Sequence, residues 1–288
     1  MTTVQGPTVG RRRLRSALRR ARDAAGMTQE QVAAAMDWSL SKVIRIEAGS
    51  VSVSTNDLKA LLQHYRLTDP RQVAELVELA RASRRRAWWS QYREALAPSY
   101  AALIGLEAEA VGLRFFQAAG IPGLLQTEAY ARAIFAAAVP PEQAGPDDVD
   151  VAVEIRLRRQ REVLGRPEPP AMHVVLDEAT LRRQTGGAAC LREQLRHLVA
   201  MATSERVTIQ VLPFTATDYA VAAPFTVLEF ADPDDSDVVY VEAAMVQDVI
   251  DNPDAVKPYQ AMFRRLRDKS LSATASLALI TKIADELR

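Results

Sequence analysis

Four groups of side chains in this 288-residue chain have the types and spacing to bind or to react. Arg11, Arg12 and Arg13 are consecutive cations, suited to a phosphate clamp and otherwise to a solvated arm. Asp177 and Glu178, with Arg182, Arg183, Gly186 and Gly187, form the most polar constellation of the chain. They read either as a salt-bridged structural turn or as the wall of a pocket for a small polar ligand. An acidic turn at 232–237 lacks the glycine and the distal glutamate of a calcium loop. His64, His173 and His197 are far apart, and no second ligand pattern accompanies any of them. No phosphate loop, nucleophile elbow or dinucleotide fingerprint occurs. The expectation is a protein that binds rather than catalyses, with no cofactor and no metal.

Bulk composition points the same way. The net charge is zero, but residues 1–86 hold 16 Lys+Arg against 8 Asp+Glu, and residues 87–288 hold 20 against 28. A basic N-terminal third therefore precedes an acidic remainder, and the basic part suits a polyanion. With 48% hydrophobic and 25% charged residues, two domains can each bury a core. No apolar run is long enough to span a membrane. The arginine-rich start is too charged for a signal peptide. Cys190 is the single cysteine, so no intramolecular disulfide forms, and a reducing cytoplasm is the expected compartment.

These side chains need elements to position them. Residues 1–10 read as a flexible N-terminus, 11–86 as a helical domain and 87–288 as a second domain. In the first helix Leu14, Leu18 and Ala21 share one face, and Gly26 caps its end in a left-handed conformation. Thr28 with Gln31 makes the capping box of a second helix, whose buried side is Val32, Ala33 and Met36. A turn at Asp37 and Trp38 leads to Ser39, the cap of a third helix with Val43, Ile44 and Ile46 inward. Ser54 caps a fourth helix with Leu58, Leu61 and Leu62 on its core face, and Asp69-Pro70 opens a fifth. Two short helices joined by a tight turn inside such a bundle form a helix-turn-helix.

The strings GMTQEQVAAAM at 26–36 and WSLSKVIRIEAG at 38–49 resemble the phage-repressor-like helix-turn-helix family often called XRE. The resemblance spans roughly residues 11–68 and implies a double-stranded DNA operator. By this likeness Gln29 holds a phosphate or flanking base, with Thr28 beside it. Ser39, Leu40, Ser41 and Arg45 face the major groove, and Lys42 adjoins them. Leu40 stands where a polar residue is common and offers an apolar contact to a thymine methyl. Arg45 is then the best candidate for reading guanine. Arg22 and Glu47 match a pair that bridges the first and third helices. The candidate DNA-binding set is Arg11, Arg12, Arg13, Thr28, Gln29, Ser39, Leu40, Ser41, Lys42 and Arg45.

Beyond the junction around Trp88 and Trp89, helices and strands mix. Strands are expected at 111–116, 173–176, 207–212, 225–230 and 238–242, and two helices end the chain, split near 270–272. The fold class is multidomain: an all-α helix-turn-helix domain plus an α+β domain with a mainly antiparallel sheet. The collinear strings IGLEAE at 104–109, IPGLLQT at 121–127, LDEA at 176–179, REQLRHL at 192–198 and VLPF at 211–214 are similar to the domain of unknown function DUF5753. That domain follows such helix-turn-helix modules in actinobacterial, Scr1-type, antitoxin-like regulators. This likeness implies a small DUF397-type partner protein. The expected function is a cytoplasmic, nucleoid-associated transcriptional regulator, homodimeric on DNA and controlled through its C-terminal domain by that partner. The alternatives are control by a small ligand, in a pocket lined by Trp88, Tyr130 or Phe225, and, more remotely, an enzyme with an appended DNA-binding module.

Overall fold

A computed structural model describes residues 7–84, 86–138, 148–217, 223–232, 235–243 and 246–287. The chain divides into two units, Met1–Gln91 and Tyr92–Arg288.

The first unit is five helices: α1 (Pro7–Ala24), α2 (Gln29–Met36), α3 (Leu40–Glu47), α4 (Thr55–His64) and α5 (Pro70–Ala82). Helix α1 begins at Pro7, inside the segment expected to be flexible, and Val9 is buried. Thr8, Val9 and Gly10 are weak helix formers alone, but packing of α1 on α5 overrides propensity. Arg11 reinforces this end by donating from its guanidinium to the Ser83 carbonyl, 3.3 Å away, at the C-terminus of α5. Residues 1–6 lie outside the described residues.

The caps form as their side chains dictate. Thr28 and Gln31 make both hydrogen bonds of the capping box, Ser39 accepts from the Lys42 amide, and Ser54 accepts from the Asp57 amide. Gly26 takes φ +67°, which suits glycine at a helix end. Behind the helices, Leu18, Val32, Leu58, Leu61 and Leu62 are almost wholly buried. Each such side chain contributes about 1.5–3 kcal/mol of apolar transfer.

One polar group sits inside this apolar bundle. Glu47, the last residue of α3, is 1% exposed. Its Oε1 accepts from Arg22 Nε on α1 at 2.7 Å, and its Oε2 accepts from Gln29 Nε2 on α2 at 2.7 Å. The Tyr65 hydroxyl, just after α4, lies 3.5 Å from Oε1. The hydrogen bond that Arg22 donates to Glu47 raises the Arg22 pKa above its ordinary value, and burial together with the Glu47 charge pushes the Tyr65 phenol up. Arg22 also donates to the Met27 carbonyl at 2.9 Å, closing the turn between α1 and α2.

The second unit is built on a six-stranded sheet in the order β3-β2-β1-β4-β5-β6. The strands are β1 (Gly112–Gln117), β2 (Ala171–Asp177), β3 (Val207–Leu212), β4 (Phe225–Glu229), β5 (Val238–Ala243) and β6 (Val246–Ile250). β3, β2 and β1 are parallel to one another, whereas β1, β4, β5 and β6 pair antiparallel. The sheet is therefore mixed, which corrects the expectation of a mainly antiparallel one. The reason is the connections. Helices α7 (Glu128–Ala138) and α8 (Asp148–Leu164) lie between β1 and β2, and α9 (Glu178–Arg182) and α10 (Ala188–Met201) between β2 and β3. Helical crossovers of that length return the chain in the same direction.

Helices α6 (Pro98–Glu107), α11 (Pro253–Lys269) and α12 (Ala273–Glu286) complete the unit. Phe116, Val175, Phe225 and Val239 pack with Val256, Phe263 and Leu266 of α11 on one face of the sheet. His173 stands edge-on to Phe263, with centroids 5.3 Å apart, and shares a hydrogen bond with the Gln210 side chain at 2.7 Å. On α8, Arg159 is buried and grips Glu107 of α6 with both arms at 2.5 and 2.6 Å, while its third nitrogen donates to the Tyr100 hydroxyl at 2.8 Å.

Two predictions follow from these cores. Glu47→Ala leaves Arg22 and Gln29 without their acceptor and should cost about 3 kcal/mol. Hydrogen exchange of the amides in α2, α3 and α4 would read this loss, and a change under about 1 kcal/mol would show that the hub is dispensable. Burial holds His173 and His197 below the usual histidine value of 6.5, despite the Gln210 bond that favours the charged form of His173. Both rings are then neutral in the folded state at neutral pH, and on acidification the unfolded chain protonates first. The C-terminal unit should lose stability as pH falls below about 6.5 and through the folded-state values. Melting temperatures at about pH 7.5 and 5.5 test it; a His173→Gln, His197→Gln double variant should show a smaller drop, and an identical drop would clear both histidines.

Candidate nucleic-acid interface

Helix α3 has eight residues, and its two faces differ sharply. Val43, Ile46 and Glu47 are buried, whereas Leu40, Ser41, Ile44 and Arg45 are exposed. The outward positions are i, i+1, i+4 and i+5, one continuous stripe on a helix. Ile44 is 44% exposed, so it stands on the outward stripe and not in the core where its type suggested. Periodicity explains this afterwards: Val43 and Ile46 already fill the inward face at i and i+3, and Ile44 falls about 100° away from Val43. Leu40 is 37% exposed and lies one turn before Ile44. The stripe therefore carries two large aliphatic side chains side by side, with the Ser41 hydroxyl and the Arg45 guanidinium beside them.

Arg45 makes no side-chain hydrogen bond or ion pair with any described residue. The other residues of the candidate set are more engaged. Lys42 pairs with Asp57 at 3.3 Å and lies over the Trp38 ring at 3.6 Å. Gln29 gives one amide hydrogen to Glu47, which leaves the second hydrogen and the carbonyl oxygen for other partners. Thr28 and Ser39 each accept one cap hydrogen bond at the hydroxyl oxygen, and the Thr28 side chain also hydrogen-bonds Glu30. Arg11 is exposed but bonded to Ser83, and Arg12 and Arg13 are half-buried on α1. The structure thus brings Ser39, Leu40, Ser41, Lys42 and Arg45 together on α3 and its cap, and puts Thr28 and Gln29 at the start of α2. Arg11, Arg12 and Arg13 belong to α1.

The polar constellation of the second unit is a structural turn. Asp177 caps α9 by accepting from the Ala179 amide at 2.8 Å. Glu178 accepts from Arg182 at 2.8 Å and, through its other oxygen, from the Phe214 amide at 2.9 Å. Glu178 thus has both oxygens engaged by local structure, and Asp177 has one. Among the described residues no group of three or more His, Cys, Asp or Glu is placed to hold a metal ion. Among them, too, no helix is long and apolar enough to cross a membrane. The acidic turn at 232–237 lies partly outside the described residues.

A cavity of about 270 Å³ opens in the second unit between the sheet, α6 and α8. Phe225 borders it, although its ring packs on Tyr259 of α11, and Tyr130 and Trp88 do not line it. Tyr130 is buried in α7, and Trp88 packs edge to face on Trp89 with centroids 5.6 Å apart. Nothing in the spacing of residues pointed to the arginines and tyrosines that line the cavity, because they come from three separate elements.

Comparison with protein families gives two matches. A helix-turn-helix domain model matches residues 13–76. A model described as a domain of unknown function (DUF5753) matches residues 100–282. Neither the curated proteins nor the solved structures contain a match. The two matched segments fall within the two structural units in turn, and the second covers more than half of the sequence. The chain belongs to the DUF5753 family, with a helix-turn-helix domain ahead of the family's domain.

Proposed function

We propose that this protein is a sequence-specific DNA-binding transcriptional regulator, with α3 as the helix that enters the major groove. The observation that carries the reading is the outward stripe of α3. Its one unengaged cation, Arg45, stands beside Leu40, Ser41 and Ile44, and Glu47 anchors the helix from behind. Arg45 suits the two acceptors on a guanine edge, and the two aliphatic side chains suit thymine methyls. Thr28, Gln29, Ser39, Lys42 and the arginines of α1, Arg11, Arg12 and Arg13, are assigned to the phosphates around the groove, where they set register and not sequence. Two copies read half-sites about one helical turn apart.

The C-terminal unit governs this binding. Its net negative charge favours a small basic partner protein, which it would attract while repelling DNA. The cavity supports a second form of control, by a small ligand.

Duplexes selected from a random library by the full-length protein supply the operator. On that operator Arg45→Ala should weaken binding by roughly 1–3 kcal/mol and relax the preference at one base position. Lys42→Ala should weaken all sequences alike and flatten the salt dependence. Unchanged selectivity for Arg45→Ala would remove α3 from the groove.

A further inference from the structure

The cavity in the C-terminal unit has a floor that follows from strand register. Phe115 of β1 pairs with Thr226 of β4, and Thr226 pairs with Tyr240 of β5. The three form one cross-strand row, and they point away from the face covered by α11, where their neighbours Phe116, Phe225 and Val239 lie. Above the row stand Tyr100 and Leu103 of α6, Ile134 of α7, and Arg156 and Arg159 of α8. Glu242 borders the cavity on its exposed side, where Gln247 lies 3.4 Å from its carboxylate.

Two of these groups each carry a buried polar atom with no hydrogen-bond partner among the described residues. Tyr240 is 3% exposed, and its hydroxyl has no hydrogen-bond partner among the described residues. Arg156 Nε is buried and equally unpartnered. Arg156 reaches the neutral Gln126 side chain at 2.5 Å, bears on the Tyr100 phenol and lies over the Phe135 ring at 4.8 Å. It has no carboxylate partner among the described residues. Arg159, one turn along the same helix, has its charge cancelled by Glu107. A Cβ on Gly123 would stand 2.8 Å from Arg156 Nη1, so glycine there lets the guanidinium lie flat against the turn. An unpaired buried hydroxyl and an uncompensated guanidinium are costly in a finished core. Both are explained if the partner arrives from outside.

We propose that the cavity is the binding site for a small organic acid, whose carboxylate is held by Arg156 and the Tyr240 hydroxyl and whose apolar body lies against Phe115, Leu103 and Ile134. Burial and the neighbouring Glu242 push the Tyr240 phenol up, so it stays a donor at neutral pH. Burial acts to raise Tyr100 too, but Arg156 and Arg159 outweigh it and hold that phenol below the usual range. The volume is near the lower end for ligand pockets, which run upward from about 300 Å³, and this limits the occupant to one compact molecule. A role for this acid in controlling DNA affinity rests on the DNA-binding reading above; the site itself does not.

The test uses the full-length protein without DNA, in Tris buffer, with benzoate, phenylacetate and hexanoate as probes and benzamide and inorganic phosphate as controls. At least one carboxylate should raise the melting temperature in a saturable way and give a heat of binding, and benzamide and phosphate should not. Tyr240→Phe removes a hydroxyl that has no partner, so the empty protein should melt no lower, while carboxylate affinity falls about tenfold. Arg156→Met should cost affinity at least as much. No carboxylate binding, equal binding of benzamide or phosphate, or full affinity in Tyr240→Phe would each overturn the site. Selectivity for the operator, measured separately with duplex alone, decides the DNA-binding reading whichever way this result falls.

Discussion

Everything the first unit presents to the outside is referred back to one buried carboxylate. Glu47 accepts from Arg22 on α1 and Gln29 on α2 while belonging to α3, so three helices meet at two oxygen atoms. Apolar packing alone would hold α3 in contact with the bundle but would leave its rotation about its own axis weakly defined. Directional hydrogen bonds at the last residue of the helix remove that freedom. Which side chains face outward is then settled: Val43 and Ile46 go in, and Leu40, Ser41, Ile44 and Arg45 go out. A charge at such a site adds little net stability against an apolar isostere. Its contribution is orientation, which the groove reading proposed for α3 would require.

The second unit uses buried charge in two different ways. Arg159 and Glu107 lock α8 to α6 with a closed, bidentate pair, which satisfies both groups internally. Arg156, on the same face of the same helix, is satisfied only in part. The closed pair and the partly satisfied cation thus stand one turn apart on α8. The turn at 121–127 is fixed by amides: Gln160 donates to the Gly123 and Gln126 carbonyls, and Gln194 donates to the Leu125 carbonyl while accepting from the Thr127 amide. Neutral side chains thus do most of the positioning, and Arg156 adds one hydrogen bond to the Gln126 side chain without meeting a carboxylate among the described residues.

The legibility of the two units differs for a physical reason. In the first, the signals are local: Thr28 with Gln31, Ser39 and Ser54 are caps that act within three residues, and the helices start where those side chains put them. The Arg22–Glu47 pair was reachable through resemblance, although 25 positions separate the two residues. Ile44 was misread because an isoleucine between Val43 and Ile46 has the type of a core residue, although helix periodicity with Val43 and Ile46 inward turns it outward. In the second unit the strands from β1 to β5 were visible as apolar runs, but β6, with the sequence VQDVI, and helix α6 carried no signal strong enough to separate them from their surroundings. Parallel pairing of β1 with β2 and β3 is a property of connections and not of strand composition, so it escaped as well. The cavity depends on register, which places Phe115, Thr226 and Tyr240 in a row although more than a hundred positions separate the first from the other two.

The aliphatic pair on α3 has a chemical corollary. If α3 enters the major groove as proposed, Leu40 and Ile44 would sense a methyl group there but not the ring that bears it. Thymine carries such a methyl at C5, and 5-methylcytosine carries one at the same place. A base-reading surface of this composition is blind to the difference at that atom and alert to its loss. Enzymatic methylation of cytosine in an operator would therefore create contacts for this helix that unmodified cytosine lacks, and replacement of thymine by uracil would delete them. The state of covalent modification of the DNA, and not its base order alone, would enter the recognition.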